Sequence, residues 1–460
     1  MSFPLPPRLG GALLALVVSG CALVGPEYRT PTVEVAATWQ EALPHGGSTG
    51  ELLDWWRSFD DSTLDLLQAE AVKAGPTLAL AAARLDAARA EQDSATANGL
   101  PGANLKGNAQ RIEDGQSTRQ GLLDASWEID LFGGLQRGRE AAAAQVEARQ
   151  AQWHEARVSL AAEVAGEYVR YRACRLLEQQ QGDHLASLER TARTTTSAVQ
   201  AGLSAPADGA LADAGAAAAR ARLLSQQAEC QLSVKSLVAL TGLAEPTLRH
   251  HLDHGRQTLP QPAAVAVQSV PLHWLSQRPD LVAAERSVAA ASAAIGQAQA
   301  RRYPRLSLLG SISSDSRSSN WSFGPSLSLS LFDGGAGQAA VWSRQADHRA
   351  SIATYRQTVR QAVREVEQAL VQLDSASRRE ADIAASASGY HRHFAAAEQM
   401  WQVGAGSLLT LEQSRRDAQA AEQALITVRR DRLLHAIDLY KALGGGWQAA
   451  GSPSSLAESS

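Results

Sequence analysis

The chain has 460 residues, a net charge of −4, and 45% hydrophobic but only 5% aromatic residues. That length allows several layers or two or three domains, and the charge leaves no basic footprint for nucleic acid. Alanine is abundant, which suits helices packed closely side by side better than a round core of large side chains.

Residues 1–20 read as a signal peptide. Arg8 supplies a short positive region, and "GALLALVVSG" (11–20) supplies about ten apolar residues, too few to span a bilayer as a helix. "VSGC" follows and resembles a bacterial lipobox, with Cys21 as the lipidated mature N-terminus. Position 22 is alanine rather than aspartate, which by lipoprotein sorting rules favours the outer membrane. No later stretch approaches 18 consecutive apolar residues. A membrane crossing by this chain would therefore be a β-barrel.

The remaining elements come twice. Pro76 answers Pro279, Pro101 answers Pro304 and Gly107 answers Gly310 at one spacing; "DLFGG" (130–134) answers "LFDGG" (331–335). "VQAG" (199–202) answers "WQVG" (401–404), and "VALTG" (238–242) answers "KALGG" (441–445). Repeats this long read as a duplicated domain. Repeat 1 (62–242) is predicted to hold strands at about 103–111 and 122–132 and long helices at about 135–201 and 206–241. Repeat 2 (276–446) is predicted to hold strands at about 305–313 and 322–332 and helices at about 336–403 and 407–443. Residues 21–61 and 243–275 are left as a lipidated N-terminal segment and a connector, and 447–460 as a mobile tail.

The strands alternate, with one lapse at Leu309. Leu327, Leu329 and Leu331 oppose Ser326, Ser328 and Ser330, so each strand has one apolar and one hydroxyl-rich face. Nine to eleven residues is the length a tilted strand needs to cross hydrocarbon. Four strands cannot close a barrel and an open sheet in lipid leaves unsatisfied edges, whereas three chains supply twelve strands. The long helix of repeat 2 carries a seam (Ile352, Tyr355, Val359, Val363, Val366, Leu370, Leu373, Ala376, then Ile383 to Trp401) with a mean spacing near 3.5, as in a coiled coil. Each helical hairpin would turn at Gly202 or Gly404, where a positive φ costs glycine little. Cys174 and Cys230 lie 28 residues before and after Gly202. Equal arms of an antiparallel hairpin bring them to one height, as a disulfide or as two free core thiols.

The lipobox with "GPEY" (25–28), "DWWRSFDD" (54–61), "WEIDLFGG" (127–134), "RPDLVAAE" (278–285), "AQARRYPRLSLLGS" (298–311) and "LSLFDGG" (329–335) resembles the TolC-type outer-membrane efflux proteins, in particular the lipoprotein, NodT-like branch. The resemblance covers nearly the whole mature chain. It implies a homotrimer with a 12-stranded β-barrel in outer-membrane lipid, continued by a long α-helical barrel across the periplasm. It also implies a periplasmic adaptor (membrane fusion) protein and an inner-membrane transporter of the resistance-nodulation-division class as partners, and passive export of drugs or other toxic small molecules. Type I protein secretion uses the same channel type and is the alternative.

No catalytic constellation is present, and the chain reads as no enzyme. No cofactor is expected beyond the covalent lipid on Cys21. His250, His251 and His254 lie in what reads as a connecting loop without a nearby cysteine, and no metal site is assigned. The family's hairpin tips converge to close the pore, which makes the tips the candidate gate. Asp208 matches a position where acidic residues are common. Leu408 and Leu411 are candidates for an apolar constriction, and Glu412, Arg415 and Arg416 for ion pairs that hold the closed state.

Overall fold

The computed structural model describes residues 23–32, 55–111, 113, 117–262, 278–315, 318–445 and 447. The signal peptide, Cys21, residues 33–54, most of the connector's second half and nearly all of the tail lie outside the described residues.

In chain order the elements are α1 (Ser62–Ala74), α2 (Pro76–Ala97), β1 (Gly102–Arg111), β2 (Ser117–Ile129), α3 (Gly134–Gln200), α4 (Pro206–Thr241), α5 (Glu245–His254), α6 (Pro279–Ala300), β3 (Arg305–Asp315), β4 (Ser319–Ser328), α7 (Ala336–Gln402) and α8 (Leu408–Ala442). They fall into two matching sets. Helices α2 and α6 have 22 residues each, and α3 and α7 have 67 each. Helices α4 and α8 have 36 and 35. Among the described residues no helix is long and apolar enough to cross a membrane.

The long helices end the same way. Gly202 (φ 70°) donates to the carbonyl of Val199 at 3.0 Å, and Leu203 to that of Ala198 at 2.8 Å. Gly404 (φ 75°) donates to Trp401 at 3.0 Å, and Ala405 to Met400 at 2.8 Å. This pair of bonds satisfies the orphan carbonyls of a helix end and requires a left-handed residue between them. A Cβ at either glycine would touch nothing, so the backbone angle, not space, demands glycine there.

The contacts divide the chain into two units. The first holds residues 80–153 and 280–360 with the N-terminal segment. Its sheet is fully antiparallel in the order β1-β2-β3-β4. The register puts Leu105, Leu123, Ile312 and Trp321 in one row and Asn104, Asp124, Ser311 and Ser322 in the next. Every apolar row lies on one face, and that face is bare: Leu105 is 80% exposed, Trp321 81% and Phe323 70%. The other face is polar apart from Leu122 and Leu309, and internally bonded. Asn104 donates to Asp124 at 3.2 Å, Lys106 pairs with Asp124 at 3.3 Å, and the hydroxyls of Ser311 and Ser322 are 2.9 Å apart. Strand β2 starts at Ser117, five residues earlier than its alternation predicts, because the polar residues 117–121 continue the ladder with β1. Strand β4 stops at Ser328, four residues short of the predicted 332.

The N-terminal segment is tied into this unit. Val24 donates to the carbonyl of Phe132 at 3.3 Å and accepts from Arg137 Nε at 3.3 Å. Tyr28 donates to Glu285. Gly25 (φ 100°) and Gly296 meet so closely that a Cβ on Gly25 would lie 2.3 Å from Gly296 Cα. Both the left-handed backbone and the close approach require glycine at 25.

The second unit holds the hairpin ends, α1, α5 and the C-terminal turn. Trp55, Trp56, Phe59 and Tyr440 form an aromatic cluster with centroids 4.6–5.5 Å apart. Asp61, 5% exposed, caps α1 by accepting from the amides of Thr63 (3.0 Å) and Leu64 (3.3 Å). Its other oxygen accepts from Tyr168 at 2.6 Å. Arg172 donates to Tyr168 Oη at 2.9 Å and to the carbonyl of Leu252 at 2.8 Å, so one buried chain of bonds joins α1, α3 and α5. Burial, then the bond to Asp61, pushes the Tyr168 phenol well above its ordinary range. Replacing Asp61 with alanine removes the cap and one partner of a buried hydroxyl. A loss of about 1–3 kcal/mol is expected, read as a lowered urea midpoint in detergent.

Candidate functional site

The hairpin ends are built from apolar packing with one buried charge network. Leu188 and Ala192 of α3, Ala212, Ala216 and Ala219 of α4, and Leu408 and Leu411 of α8 form one core, with Phe394 and Trp401 of α7 against it. Small residues on α4 let the two hairpins of one chain approach closely. Ser407 opens α8 as its N-cap, accepting from the amide of Thr410.

Leu411 is 1% exposed and Leu408 is likewise buried. Both pack one hairpin on the other within the chain. Arg415, 3% exposed, pairs with Glu412 one turn before it on the same helix. It also donates to Thr191 Oγ1 of α3 at 2.9 Å and lies 5.4 Å from the Phe394 ring. The Arg415–Glu412 pair therefore bridges no gap by itself; the bond to Thr191 links the two hairpins. Arg416 is exposed and bonds Gln413 at 2.9 Å rather than a carboxylate. Asp208 sits in the first turn of α4, half-buried, where a carboxylate favours the helix dipole.

Two features had no counterpart in the sequence reading. A cleft of about 230 Å³ opens beside the network, lined by His184, Arg190, His391, Glu398, Arg415 and Glu422 among others. Arg415 Nε makes no hydrogen bond. His184 is held down to about 4 by burial first, then by the charges of Arg415 and Arg222. The sequence pattern shows His184 only as a polar residue on a long helix.

Farther from the turn, Cys174 of α3 and Cys230 of α4 are joined by a disulfide, with Cα atoms 5.5 Å apart. Gln226 lies against it, donating to the carbonyl of Cys174 at 3.3 Å. His250, His251 and His254 are not in a loop: they lie on α5, whose Leu248 and Leu252 are buried. The His250 and His254 rings pack with centroids 4.2 Å apart, tilted by 37°. Among the described residues no group of three or more His, Cys, Asp or Glu is arranged to hold a metal.

The family profile described as "Outer membrane efflux protein" matches residues 67–243 and again residues 271–445. The chain belongs to the outer membrane efflux protein family. It is 29% identical over 457 residues to outer membrane protein OprJ of Pseudomonas aeruginosa, covering 95% of each chain. It is 27% identical over 461 residues to nodulation protein T of Rhizobium leguminosarum bv. viciae, covering 96% of this chain and 94% of that protein, which places it in the NodT-like branch. The solved outer-membrane channel OprN is 30% identical and superposes with a TM-score of 0.83, over 93% of this chain and all of that one. The fold is that of the family's outer-membrane channels, mostly helical with a small antiparallel sheet, and the family is one of efflux channels, not of enzymes.

Two predictions follow from the hairpin ends of this efflux protein. Arg415→Met leaves the Glu412 carboxylate buried without its cation, and a loss of about 3–5 kcal/mol is expected. Replacing both Arg415 and Glu412 with methionine recovers most of it in the same denaturation assay. For His184, the unfolded chain takes up a proton near pH 6.5 that the folded chain refuses until about pH 4. Stability is therefore pH-independent from this group above 6.5 and falls as pH drops between those values. His184→Gln flattens that part of the urea-midpoint profile.

Proposed function

We propose that three copies of this chain close a 12-stranded barrel in the outer membrane, continued by their long helices as a duct through the periplasm. The duct is a passive exit for drugs or other toxic small molecules. An inner-membrane transporter of the resistance-nodulation-division class supplies the energy and a periplasmic adaptor joins the two.

The observation that carries this reading is the sheet. One face is apolar and largely uncovered, and β1 and β4 are both unpaired edges in the single chain. In water such a sheet is an aggregation site. In lipid the apolar face is solvated, but the edges cannot stay open. Closure by further copies meets both demands and turns the rows of Ser, Asn and Asp toward an aqueous lumen.

The helices support the same reading. The seam of α7 is buried at Val359, Val366, Leu370 and Ala376, but only partly covered at Ile383, Ala387 and Phe394. A surface half-covered in one chain suits a wall completed by neighbours.

The lipid anchor is part of the proposal. Cys21 lies outside the described residues, but Val24, three residues on, is fastened to Phe132, just past the end of β2. Three residues reach about 10 Å at most. An acyl chain on Cys21 would thus enter the membrane beside the strand–helix boundary.

Imaging of the detergent-extracted protein should show threefold particles with a helical stem of roughly 100 Å, and a planar bilayer should show discrete conductance steps. Deleting the gene from its host should lower the inhibitory concentration of hydrophobic drugs and dyes. Unchanged susceptibility together with loss of a secreted polypeptide would overturn the small-molecule reading in favour of protein secretion.

A further inference from the structure

The first strand hairpin outruns the second. Strands β1 and β2 stay paired as far as Arg111 and Ser117, whereas the pairing of β2 with β3 stops at Gln120 and Asp315. Residues 109–111 and 117–119 therefore form a two-stranded tongue beyond the four-stranded part of the sheet. It lies at the end away from α2, α3 and α6. The face of the tongue that continues the apolar rows carries Arg111 and Arg119, and the other face carries Gln110 and Thr118. Both arginines are exposed, and neither makes a hydrogen bond or an ion pair among the described residues. Resting on the membrane-barrel reading above, we propose that Arg111 and Arg119 bind the phosphates of the phosphorylated glycolipid in the outer leaflet of the outer membrane.

Register sets the depth. On β2, Arg119 and Ile129 share a face at opposite ends of the strand. Their separation is roughly 33 Å along an extended strand and about 25 Å of height at a barrel's tilt. An outward apolar band is about 25 Å tall. With Ile129 at the helix side of that band, Arg119 stands among the headgroups of the far leaflet. A lipid-facing arginine is costly at the midplane and nearly free at that level. A bare step separates the arginines from the apolar rows. It holds Gly107, Gly121, Ser314 and Ser319. A Cβ added at Gly107 would touch nothing, and one at Gly121 only the carbonyl of Ser314 at 4.0 Å. The next row is Leu105, Leu123, Ile312 and Trp321, all exposed. This order matches the glycolipid from top to bottom. Phosphate meets the arginines, sugar rests on the glycine floor beside the serine hydroxyls and Trp321, and acyl chains lie over the leucines and isoleucine.

Charge selects the phosphate. Ala109 pairs with Arg119 and Arg111 with Ser117, so the two arginines are diagonal neighbours on one face, about 7–8 Å apart. Like charges at that spacing repel unless an anion lies between them. No carboxylate of the described residues does so. Glu113, in the turn of this hairpin, makes no ion pair among them. Asp315 lies opposite Gln120 on the polar face and accepts from the amide of Ser318. The polar face treats its cation differently, since Lys106 there is paired with Asp124 at 3.3 Å. A guanidinium fork matches a phosphate with two parallel bonds and keeps its charge at any working pH. At the top of the second hairpin the same face carries Ser314 and Ser319, so each chain offers one such site.

The test is lipid binding to the full chain in detergent, with imaging of the same sample. Diphosphoryl lipid A should bind saturably, and its dephosphorylated form about tenfold or more weakly. Arg111→Gln with Arg119→Gln should weaken lipid A binding by a similar factor, and Arg111→Lys with Arg119→Lys should keep part of it. Lys106→Gln, on the polar face, should change nothing. Lipid A that binds the glutamine double variant as tightly as the unaltered chain, or equally well without its phosphates, overturns the site. Equal binding of phosphatidylglycerol, or displacement of lipid A by inorganic phosphate, overturns the glycolipid assignment. The comparison of phosphorylated with dephosphorylated lipid uses the unaltered chain, so it decides even where a variant fails to assemble. Any of these failures with threefold particles intact leaves the barrel reading standing. A chain that forms no threefold particles overturns that reading, and the site with it.

Discussion

A strand edge cannot face hydrocarbon. Each unpaired N–H and C=O there goes without a partner, and no side chain of a lipid-facing strand can supply one. Strands β1 and β4 both present such edges, on a sheet whose outer rows are leucine, isoleucine, tryptophan and phenylalanine. The rest of the architecture answers this constraint. The duplication supplies both edges, and in the proposed trimer they meet between chains. Alternation gives each wall position its solvent. The Gly-Gly stretches stand where a period of two gives way to a period near three and a half.

Duplication has a cost visible in the helices. Helix α6 is covered by its neighbours, with Leu281, Val288, Ala293 and Ile295 all buried. Its counterpart α2 buries Leu78, Leu85 and Ala88 on one side and leaves alanines, Asp86 and Arg89 bare on the other. The two helices share a length and a place in the repeat, but evolution has loaded them differently. One is an interior helix of a folded chain. The other leaves one side to solvent in the single chain, and small or charged residues make that tolerable.

Much of this was legible in the sequence, for physical reasons. Alternation of serine and leucine gives each strand one apolar and one polar face, and that period of two is readable directly. Gly202 and Gly404 are legible as turns because only glycine enters the left-handed region cheaply. The hairpin ends were less legible. Leu408 and Leu411 make the same apolar stripe whether it faces a pore or a neighbouring hairpin, and spacing cannot tell the two apart. Arg415 reads as a surface charge beside Arg416, and only packing shows one buried and the other exposed. Helix α5 was missed because ten residues rich in histidine give too short a pattern. The end of β4 was overrun because the alternation continues past the last partner one chain can provide.

The covalent link between Cys174 and Cys230 closes a loop of 56 residues, and only one of the two hairpins has such a link. The reducing cytosol keeps thiols apart, so a chain threaded outward as an extended polymer carries no crosslink to jam its passage. At its destination oxidation clamps the first hairpin permanently, while the second, lacking cysteine, is held by side-chain contacts alone. One hairpin is thus joined covalently and the other by packing alone.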